Sequence, residues 1–255
     1  MRQQQADLHF HALPGLDDGP ATIEESIALI RAARAEGTTR VVATPHVRWD
    51  FVTDVSDLHE RVRELRSAVG AARIGVAVRP GGELGHDMVG RLSQRELDSI
   101  AQGPPGSRWL LLETPFEGMD ENFHAAAAEL RERSFGIVLA HPERSADANL
   151  HDSAGLRRQI AAGAGAQVNA QSITGAHGPE ARTAALELVR EGLVTIVGSD
   201  AHGPTRPPLL GLAHRTLSER GVDVNTCRAL TVSGPLWLLA RGLAPGRERE
   251  PALAG

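Results

Sequence analysis

The chain has 255 residues, of which 41% are hydrophobic and 23% are charged, and its formal net charge is −5. This composition excludes a disordered chain, and the lack of a basic run disfavours binding along a nucleic-acid backbone, which requires clustered positive charge. No apolar run approaches the roughly 18 residues of a membrane span, and the first predicted strand begins too early to leave room for a signal peptide. A single cysteine, Cys227, excludes an internal disulfide, so we expect a globular protein of the reducing cytoplasm.

Lysine and tyrosine are both absent, and all 27 basic residues are therefore arginine. Without lysine, the chain cannot perform Schiff-base chemistry or form a Walker-type phosphate loop. It also cannot bridge two metal ions through a carbamylated lysine, which disfavours the usual two-metal amidohydrolase.

Seven short apolar runs alternate with helical patterns along the chain. They are rich in β-branched residues and leucine and do not alternate with polar residues, which is typical of strands buried on both faces of a parallel sheet. The predicted strands are Ala6–His9, Arg40–Thr44, Ile74–Val78, Trp109–Leu112, Gly136–Ala140, Ala166–Asn169 and Val194–Gly198.

The helical patterns lie between and after these runs. The first begins at a capping box formed by Thr22 and Glu25 and ends at Gly37. Strand and helix alternate over about 250 residues, which predicts a barrel-type α/β domain over 1–243, followed by a flexible tail at 244–255. The further predicted helices are Ser56–Val69, Asp120–Arg133, Leu156–Ala162, Pro179–Glu191, Leu210–Glu219 and Leu236–Arg241.

Histidine, aspartate or glutamate residues follow six of the seven predicted strands. The C-terminal ends of parallel barrel strands meet at one mouth, and imidazole and carboxylate groups are ligands for Zn, Mn or Fe(II). Any one of these side chains alone is more often a strand cap or part of a buried pair. Together they are too many for one ion and predict two or three ions that share a bridging carboxylate and a bridging water. They are His9, His11, His46, Glu83, Glu113, His141, Asp200 and His202.

The segments that carry these residues resemble the PHP superfamily, named for polymerase and histidinol phosphatase. Within it they are most similar to the CpsB/CapC type, the manganese-dependent protein-tyrosine phosphatases of bacterial capsule and exopolysaccharide systems. The resemblance extends from Asp7 to about Leu239. It rests on Asp7-Leu-His-Phe-His11, Leu16-Asp-Asp-Gly19 with Glu24-Glu-Ser26, Thr44-Pro-His46, Gly82-Glu83, Glu113, Ala140-His-Pro-Glu-Arg144, Ser199-Asp-Ala-His202 and Arg206-Pro-Pro208.

The resemblance implies a distorted seven-stranded TIM-like barrel, the (β/α)7 PHP fold, with three metal ions. Mn²⁺ is the expected metal, with Fe or Zn as the alternatives. Asp18 is assigned by analogy, since spacing alone does not separate it from Asp17. The implied sites are His9, His11, Glu83 and Asp200 for the first ion, Glu83, Glu113 and His141 for the second, and Asp18, His46 and His202 for the third.

The implied activity is hydrolysis of phosphotyrosine on proteins by a metal-bridging hydroxide, with a capsule-system tyrosine kinase as one candidate substrate. Arg144 and Arg206 follow ligand histidines by three and four residues and are expected to bind the phosphoryl group, because guanidinium suits bidentate phosphate binding. A surface salt bridge is the alternative for either arginine. The alternative function is a PHP-type phosphatase of a small phosphate monoester, such as histidinol phosphate.

Two aromatic residues, Trp49 and Phe51, follow the ligand His46. We expect them to contact the aryl group of the substrate, although they could equally cover the rim of the barrel or a subunit contact. Cys227 is followed by Arg228 but lacks a phosphate loop, which excludes a cysteine-phosphatase mechanism. In the resembling family the helix with Glu24-Glu25-Ser26 is linked to subunit contacts, so a homo-oligomer is also plausible.

Overall fold

The computed structural model describes residues 4–146 and 153–246. Within these ranges, parallel strands alternate with helices. The strands are β1 (Gln5–Phe10), β2 (Thr38–Ala43), β3 (His46–Val47), β4 (Ala77–Pro80), β5 (Glu83–Leu84), β6 (Trp109–Glu113), β7 (Gly136–Ala140), β8 (Gly165–Asn169) and β9 (Ile196–Gly198). The helices are α1 (Ile23–Glu36), α2 (Leu58–Ala71), α3 (Gln94–Ile100), α4 (Glu121–Glu132), α5 (Ala154–Ala161), α6 (Ala170–Thr174), α7 (Pro179–Arg190), α8 (Leu210–Glu219), α9 (Val224–Arg228) and α10 (Gly234–Arg241).

The strands form two hydrogen-bonded sheets, β1-β2-β4 and β3-β5-β6-β7-β8-β9, and every pair is parallel. The predicted parallel α/β class is therefore confirmed, whereas the hydrogen bonds among the described residues do not form one continuous barrel wall. The two sheets approach each other at the end of β1, where Phe10 forms a parallel bridge with Ala201. There, the Asp200 amide donates to the His9 carbonyl at 2.9 Å.

Two of the predicted strands are interrupted in the structure. The chain leaves β2 at Thr44-Pro45 and resumes as β3, because proline has no N–H to continue the ladder. The third predicted strand, Ile74–Val78, is displaced toward the C-terminus, since Gly75 has φ +70°, which is incompatible with a strand. It breaks again after Pro80, where the backbone passes so close to β2 that a Cβ at Gly81 would lie 2.5 Å from Val42 Cγ1.

The helices pack on the outer faces of the strands. At the start of α1, one of the two hydrogen bonds of the predicted capping box is present: Thr22 Oγ1 accepts from the Glu25 amide. The second is not formed, because the Glu25 carboxylate accepts from the backbone amide of Ala21 rather than from that of Thr22. Sequence reasoning missed α3, although Ser93 and Glu96 form a complete capping box at its start. The longest helices have 14 residues, and within 4–146 and 153–246 none is long and apolar enough to cross a bilayer.

Alternation along β6 shows how the strands divide the core and direct a ligand toward the site. Trp109 and Leu111 belong to a small apolar cluster that also contains Leu238 of α10. Leu110 and Leu112, on the other face of the strand, belong to the large apolar cluster under the outer helices. Because side chains two apart share a face, Glu113 points to the same side as Trp109 and Leu111, one step further toward the C-terminal end.

After α10, residues 242–246 remain in contact with the rest of the domain. The Leu243 amide donates to the Ser107 carbonyl at 3.0 Å. Gly246 lies so close to Gly163 that a Cβ atom added to Gly163 would be 2.8 Å from the Cα of Gly246. Most of the tail predicted at 244–255, residues 247–255, lies outside the described residues.

Candidate metal centre

The strand ends bring the predicted ligand residues together in one place. His9 is the penultimate residue of β1. His46 and Glu83 are the first residues of β3 and β5, and they pair with each other across these two strands. Three overlapping groups result, in each of which one nitrogen or oxygen atom per residue lies within 4.8 Å of the others. These groups are His9, His11, Glu83 and Asp200; His46, Glu83 and Glu113; and His11, Asp18, His46 and His202.

The first group contains the four residues predicted for the first ion. The Nε2 atoms of His9 and His11 lie 3.2 and 3.3 Å from Glu83 Oε2, and 3.3 and 3.4 Å from Asp200 Oδ1. All four side chains are buried. Two nitrogens and two oxygens therefore converge on one small volume shielded from solvent.

The second group differs from the predicted one in a single residue. His46 joins Glu83 and Glu113, with its Nδ1 at 2.9 Å from Glu83 Oε2 and 3.8 Å from Glu113 Oε2. His141, which was expected there, instead places Nε2 at 2.9 Å from the other Glu83 oxygen, Oε1. Glu83 thus contacts histidines through both carboxylate oxygens, as a bridging ligand would.

The third group contains Asp18 and not its neighbour. Asp18 Oδ1 lies 3.1 Å from His202 Nε2 and 3.5 Å from His46 Nε2. The carboxylate of Asp17 lies behind the ligands, where it contacts His11 Nδ1 at 2.7 Å and accepts from the His46 amide at 3.0 Å. His11 also belongs to this group, which sequence reasoning did not anticipate.

Several supporting residues escaped prediction. Gln167, inside an apolar strand run, contacts His9 Nδ1 at 2.8 Å and donates to Asn169, whose amide in turn donates to Asp200 Oδ2. Arg48 donates to both oxygens of Glu113, at 2.9 and 3.1 Å. The available signal was weak: a polar residue in a buried strand, and an arginine two positions after a ligand.

Unsatisfied buried atoms test whether metal ions fit. His46 Nδ1, Glu83 Oε2 and His202 Nε2 are buried and have no hydrogen bond of good geometry to any part of the chain that the structure describes. Leaving such atoms unpaired in the interior costs free energy. A cation satisfies nitrogen and carboxylate lone pairs that point at one another, and this donor set suits Mn, Fe or Zn. The residues present therefore fit metal ions.

The charges of the site are consistent with this fit. Burial lowers the pKa of His46, but the carboxylates of Glu83 and Asp18 outweigh it and raise the pKa to about 9. Burial also lowers the pKa of His11, but Asp17, Asp200 and Glu83 together outweigh burial and raise that pKa. Imidazoles that hold protons this firmly indicate a strongly negative local potential, which also attracts divalent cations.

Arg144 and Arg206 converge on one carboxylate of the first group. Arg144 Nη1 lies 3.2 Å from Asp200 Oδ2, and Arg206 Nη2 lies 3.1 Å from Asp200 Oδ1. Arg206 also donates to Asp18 at 2.8 Å. Both side chains are partly exposed, so their guanidinium groups border the ligand cluster on its solvent side.

The aromatic residues lie at different depths. Phe51 stacks on His46 with ring centres 5.1 Å apart, and Phe116 stacks on His141 at 6.0 Å beneath the Arg144 guanidinium. The Trp49 side chain is largely exposed. Cys227 is buried in α9, donates toward the Val222 carbonyl and belongs to none of the three groups.

The parallel α/β fold and this site define a class: a protein whose strand ends gather a histidine and carboxylate centre for several metal ions beside two arginines. The family model for capsular polysaccharide synthesis proteins, CpsB/CapC, matches residues 5–240, and the chain belongs to this family. The family resemblance of the sequence motifs is confirmed by this match.

Curated relatives cover most of the chain. It is 29% identical over 203 residues to the tyrosine-protein phosphatase YwqE of Bacillus subtilis, covering 77% of this chain and 76% of YwqE. It is 25% identical over 223 residues to the tyrosine-protein phosphatase CpsB of Streptococcus pneumoniae, covering 84% and 90% of the two chains.

Solved structures show the same fold. One from work on B. subtilis YwqE and S. pneumoniae CpsB, described as metal-dependent tyrosine phosphatases, matches with a TM-score of 0.81 at 24% identity, covering 96% of this chain and 100% of that one. The phosphotriesterase homology protein of Escherichia coli matches with a TM-score of 0.57 at 13% identity, covering 92% and 98%. At these identities the likeness concerns the fold.

Proposed function

We propose that this protein is a metal-dependent phosphatase that hydrolyses phosphotyrosine on proteins. The observation that carries the proposal is the convergence of Arg144 and Arg206 on Asp200, a member of the first ligand group. Two guanidinium forks beside a centre for several cations form a binding site for a phosphoryl group. The names of the relatives YwqE and CpsB as tyrosine-protein phosphatases support the choice of substrate.

The proposed ligands are the eight different residues of the three groups together with His141. Glu83, which contacts histidines through both carboxylate oxygens, would contribute to two of the sites, and His141, at 2.9 Å from Glu83 Oε1, would belong to the second. When bound, the ions, with Mn²⁺ as the expected species, supply Lewis acidity that lowers the pKa of water and offsets negative charge on the phosphoryl group. Gln167 and Asp17 orient His9 and His11 through their Nδ1 atoms.

The arginines and aromatic residues act on the substrate. Arg144 and Arg206 exchange part of their contact with Asp200 for the non-bridging phosphate oxygens, and they orient the ester for attack from the metal side. Phe51 and Phe116 offer ring faces on either side of the cluster, where a tyrosine ring gains about 0.5–1.5 kcal/mol beyond area burial. Trp49 extends this apolar rim toward the surrounding peptide.

Wider features of the protein follow from the same proposal. We interpret the two sheets as one distorted seven-stranded barrel, in which β2 continues as β3, β4 continues as β5 and the Phe10–Ala201 bridge closes the circle. The proposed partner is a phosphotyrosine protein, with a capsule-system tyrosine kinase as the first candidate. A cytoplasmic location and association into a homo-oligomer stay predictions from the sequence.

The test is hydrolysis by protein loaded with Mn²⁺ and by the same protein treated with a chelator. We expect turnover of a phosphotyrosine peptide far above that of phosphoserine peptide or histidinol phosphate, and loss of turnover with the chelator. Arg144→Ala is expected to retain bound metal and to lower kcat/KM by about 10²-fold, or about 2.7 kcal/mol. A preference for an alkyl phosphate would support the small-monoester alternative, and full activity without metal would contradict the proposal.

A further inference from the structure

A cavity lies beside the candidate metal centre, on the side of Arg144. It has a volume of about 480 Å³, and Arg144 and Phe116 form its wall toward the ligand cluster. The turn before α7 contributes His177 to the lining, and Glu180 lies at the start of that helix. A tyrosine ring stacked on Phe116 would place its ester oxygen between the metal centre and this cavity.

A chain of hydrogen bonds fixes the His177 ring from behind. Ser172 Oγ donates to Glu143 Oε1 at 2.7 Å, and that oxygen also accepts from the Asn169 amide at 2.8 Å. Because the Ser172 hydroxyl proton is directed at Glu143, its oxygen accepts from His177 Nδ1–H, at 3.0 Å. Glu143 and Ser172 are buried, whereas His177 is half-buried.

This network determines what the free edge of the ring can do. With Nδ1 bonded to the buried serine, Nε2 lies on the opposite edge of the ring, directed away from Ser172, and the His177 side chain lines the cavity. The network also selects the tautomer in which the neutral ring carries its proton on Nδ1. A ring held this way can lose a proton from Nε2 and return to the tautomer that Ser172 already stabilises.

We propose that His177 is the general acid of the reaction and protonates the leaving phenolic oxygen from Nε2. This rests on the proposed phosphotyrosine hydrolysis. A hydroxide ion derived from water forms a new O–P bond while the P–O bond to the phenol breaks. The electron pair of the breaking bond passes to the phenolic oxygen, which takes the Nε2 proton. Phosphate and neutral tyrosine leave, His177 becomes neutral with its proton on Nδ1, and solvent restores the Nε2 proton before the next turnover.

The charges around the ring link its protonation to substrate binding. Burial and the positive charge of Arg144 lower the pKa of His177 to about 4 in the ligand-free protein, with a further contribution from Arg206 against the opposing charge of Asp200. The charge of His141 also lowers the pKa of His177. Two acidic residues lie nearby: Glu143, which accepts a hydrogen bond from Ser172, and Glu180, which lies on the rim of the same cavity. A phosphate dianion between the two arginines offsets their charge, so it raises the pKa of His177 when the acid is needed.

The other polar groups around the cavity are less suited to donate a proton to the substrate. Ser145 Oγ donates to the Pro115 carbonyl at 2.7 Å, the carboxylate of Glu143 is buried and accepts two hydrogen bonds through Oε1, and Glu180 is exposed on the rim. Arginine does not deprotonate in proteins. Among the described residues that line the cavity, this leaves His177 as the partly buried ionisable group with a ring nitrogen free to face the substrate.

The test compares two leaving groups on Mn²⁺-loaded protein. Tyrosine has a pKa of about 10 and needs protonation as it leaves, whereas 4-nitrophenol is a much stronger acid and does not. We expect His177→Gln to lower kcat/KM for a phosphotyrosine peptide by about 10²-fold and to leave that for 4-nitrophenyl phosphate within about threefold. The high-pH decline of kcat for the peptide is expected to disappear in this variant.

Ser172→Ala provides a second route to the same result. This substitution removes the hydrogen-bond partner of His177 Nδ1. We expect it to lower kcat/KM for the phosphotyrosine peptide by a smaller factor than His177→Gln does, and to leave kcat/KM for 4-nitrophenyl phosphate unchanged. His59→Gln, an exposed histidine on α2, is the matched control. Equal losses on both substrates, no loss on either, or loss of bound metal in both variants would overturn the assignment. A wild-type protein that hydrolyses neither substrate would overturn the proposed function itself.

Discussion

The adjacent carboxylates Asp17 and Asp18 have different surroundings and therefore different tasks. Asp18 faces two ligand histidines and Arg206, and these neighbours hold its pKa below the usual range of a carboxyl group. Asp17 is nearly buried, contacts His11 Nδ1 and caps the His46 amide. Asp18 therefore lies within the cluster, whereas Asp17 lies behind it and contacts His11 and His46.

This difference predicts a selective effect of Asp17→Asn on metal binding. An amide cannot stabilise the His11 ring as a carboxylate does, so the affinity for Mn²⁺ is expected to fall by about 10–100-fold. At saturating metal, activity is expected to recover. Titration calorimetry checks this, with Asp98→Asn, a partly exposed residue remote from the cluster, as the control. Unchanged affinity would show that His11 needs no such partner.

At the level of elements, close approach of strands explains why small residues border the site. Gly198 ends β9 beside β1 and β8, and a Cβ there would lie 3.0 Å from the His9 Cβ and 3.1 Å from the Gln167 side chain. Those two residues form the hydrogen bond that orients His9. The packing of three strands therefore determines the position of one ligand.

We expect Gly198→Ala to disturb that ligand rather than the fold as a whole. The added methyl group displaces His9 or Gln167 by a few tenths of an ångström, which lowers Mn²⁺ affinity by about 10-fold or more. Gly70→Ala on α2, where a Cβ meets open space, is the matched control and is expected to keep the affinity and to raise stability by about 0.4–1 kcal/mol. Equal metal affinity in both variants would contradict this view of β9.

At the scale of the whole molecule, the proposed metal centre is expected to couple metal binding to folding and to pH. Metal binding needs unprotonated imidazoles and occurs in the folded state, in which strands from both sheets bring the ligands together. In the metal-free protein, protonated His46 is stabilised by Glu83 and Asp18, which raises its pKa from 6.5 to about 9. That stabilisation is complete below about pH 6.5 and is lost as pH rises through about 9.

Thermal unfolding at several pH values tests this coupling. The Tm of the metal-free protein is expected to fall between about pH 7 and 9, while saturating Mn²⁺ at about 100 times Kd adds about 2.7 kcal/mol and raises Tm by roughly 5–10 °C. At one fixed Mn²⁺ concentration, the gain is expected to be larger at pH 8 than at pH 6, because metal must displace more protons at the lower pH. A Tm that does not respond to Mn²⁺ would contradict the metal centre.

The local part of this architecture could be predicted from the sequence. The buried strands, the cap at Thr22 and the Gly37 terminus depend on side-chain type and on periods of two and 3.6 residues, which neighbouring residues determine. The set of ligand types followed from the same reasoning, because parallel strands carry the residues after their ends to one side of the sheet. Neither the strand breaks at Pro45 and Gly81 nor α3 was assigned, although the signals were present in the chain.

Contacts between strands were decided by the tertiary structure alone. That His46 rather than His141 lies within 4.8 Å of both Glu83 and Glu113, and that Asp18 rather than Asp17 faces His202, depends on register and on how two sheets meet. The sequence also did not identify His177, which lies in a turn and contacts Ser172 and the cavity only after folding. Side chains on one element are related by its geometry, whereas those on different elements are related only by the packing of the whole chain.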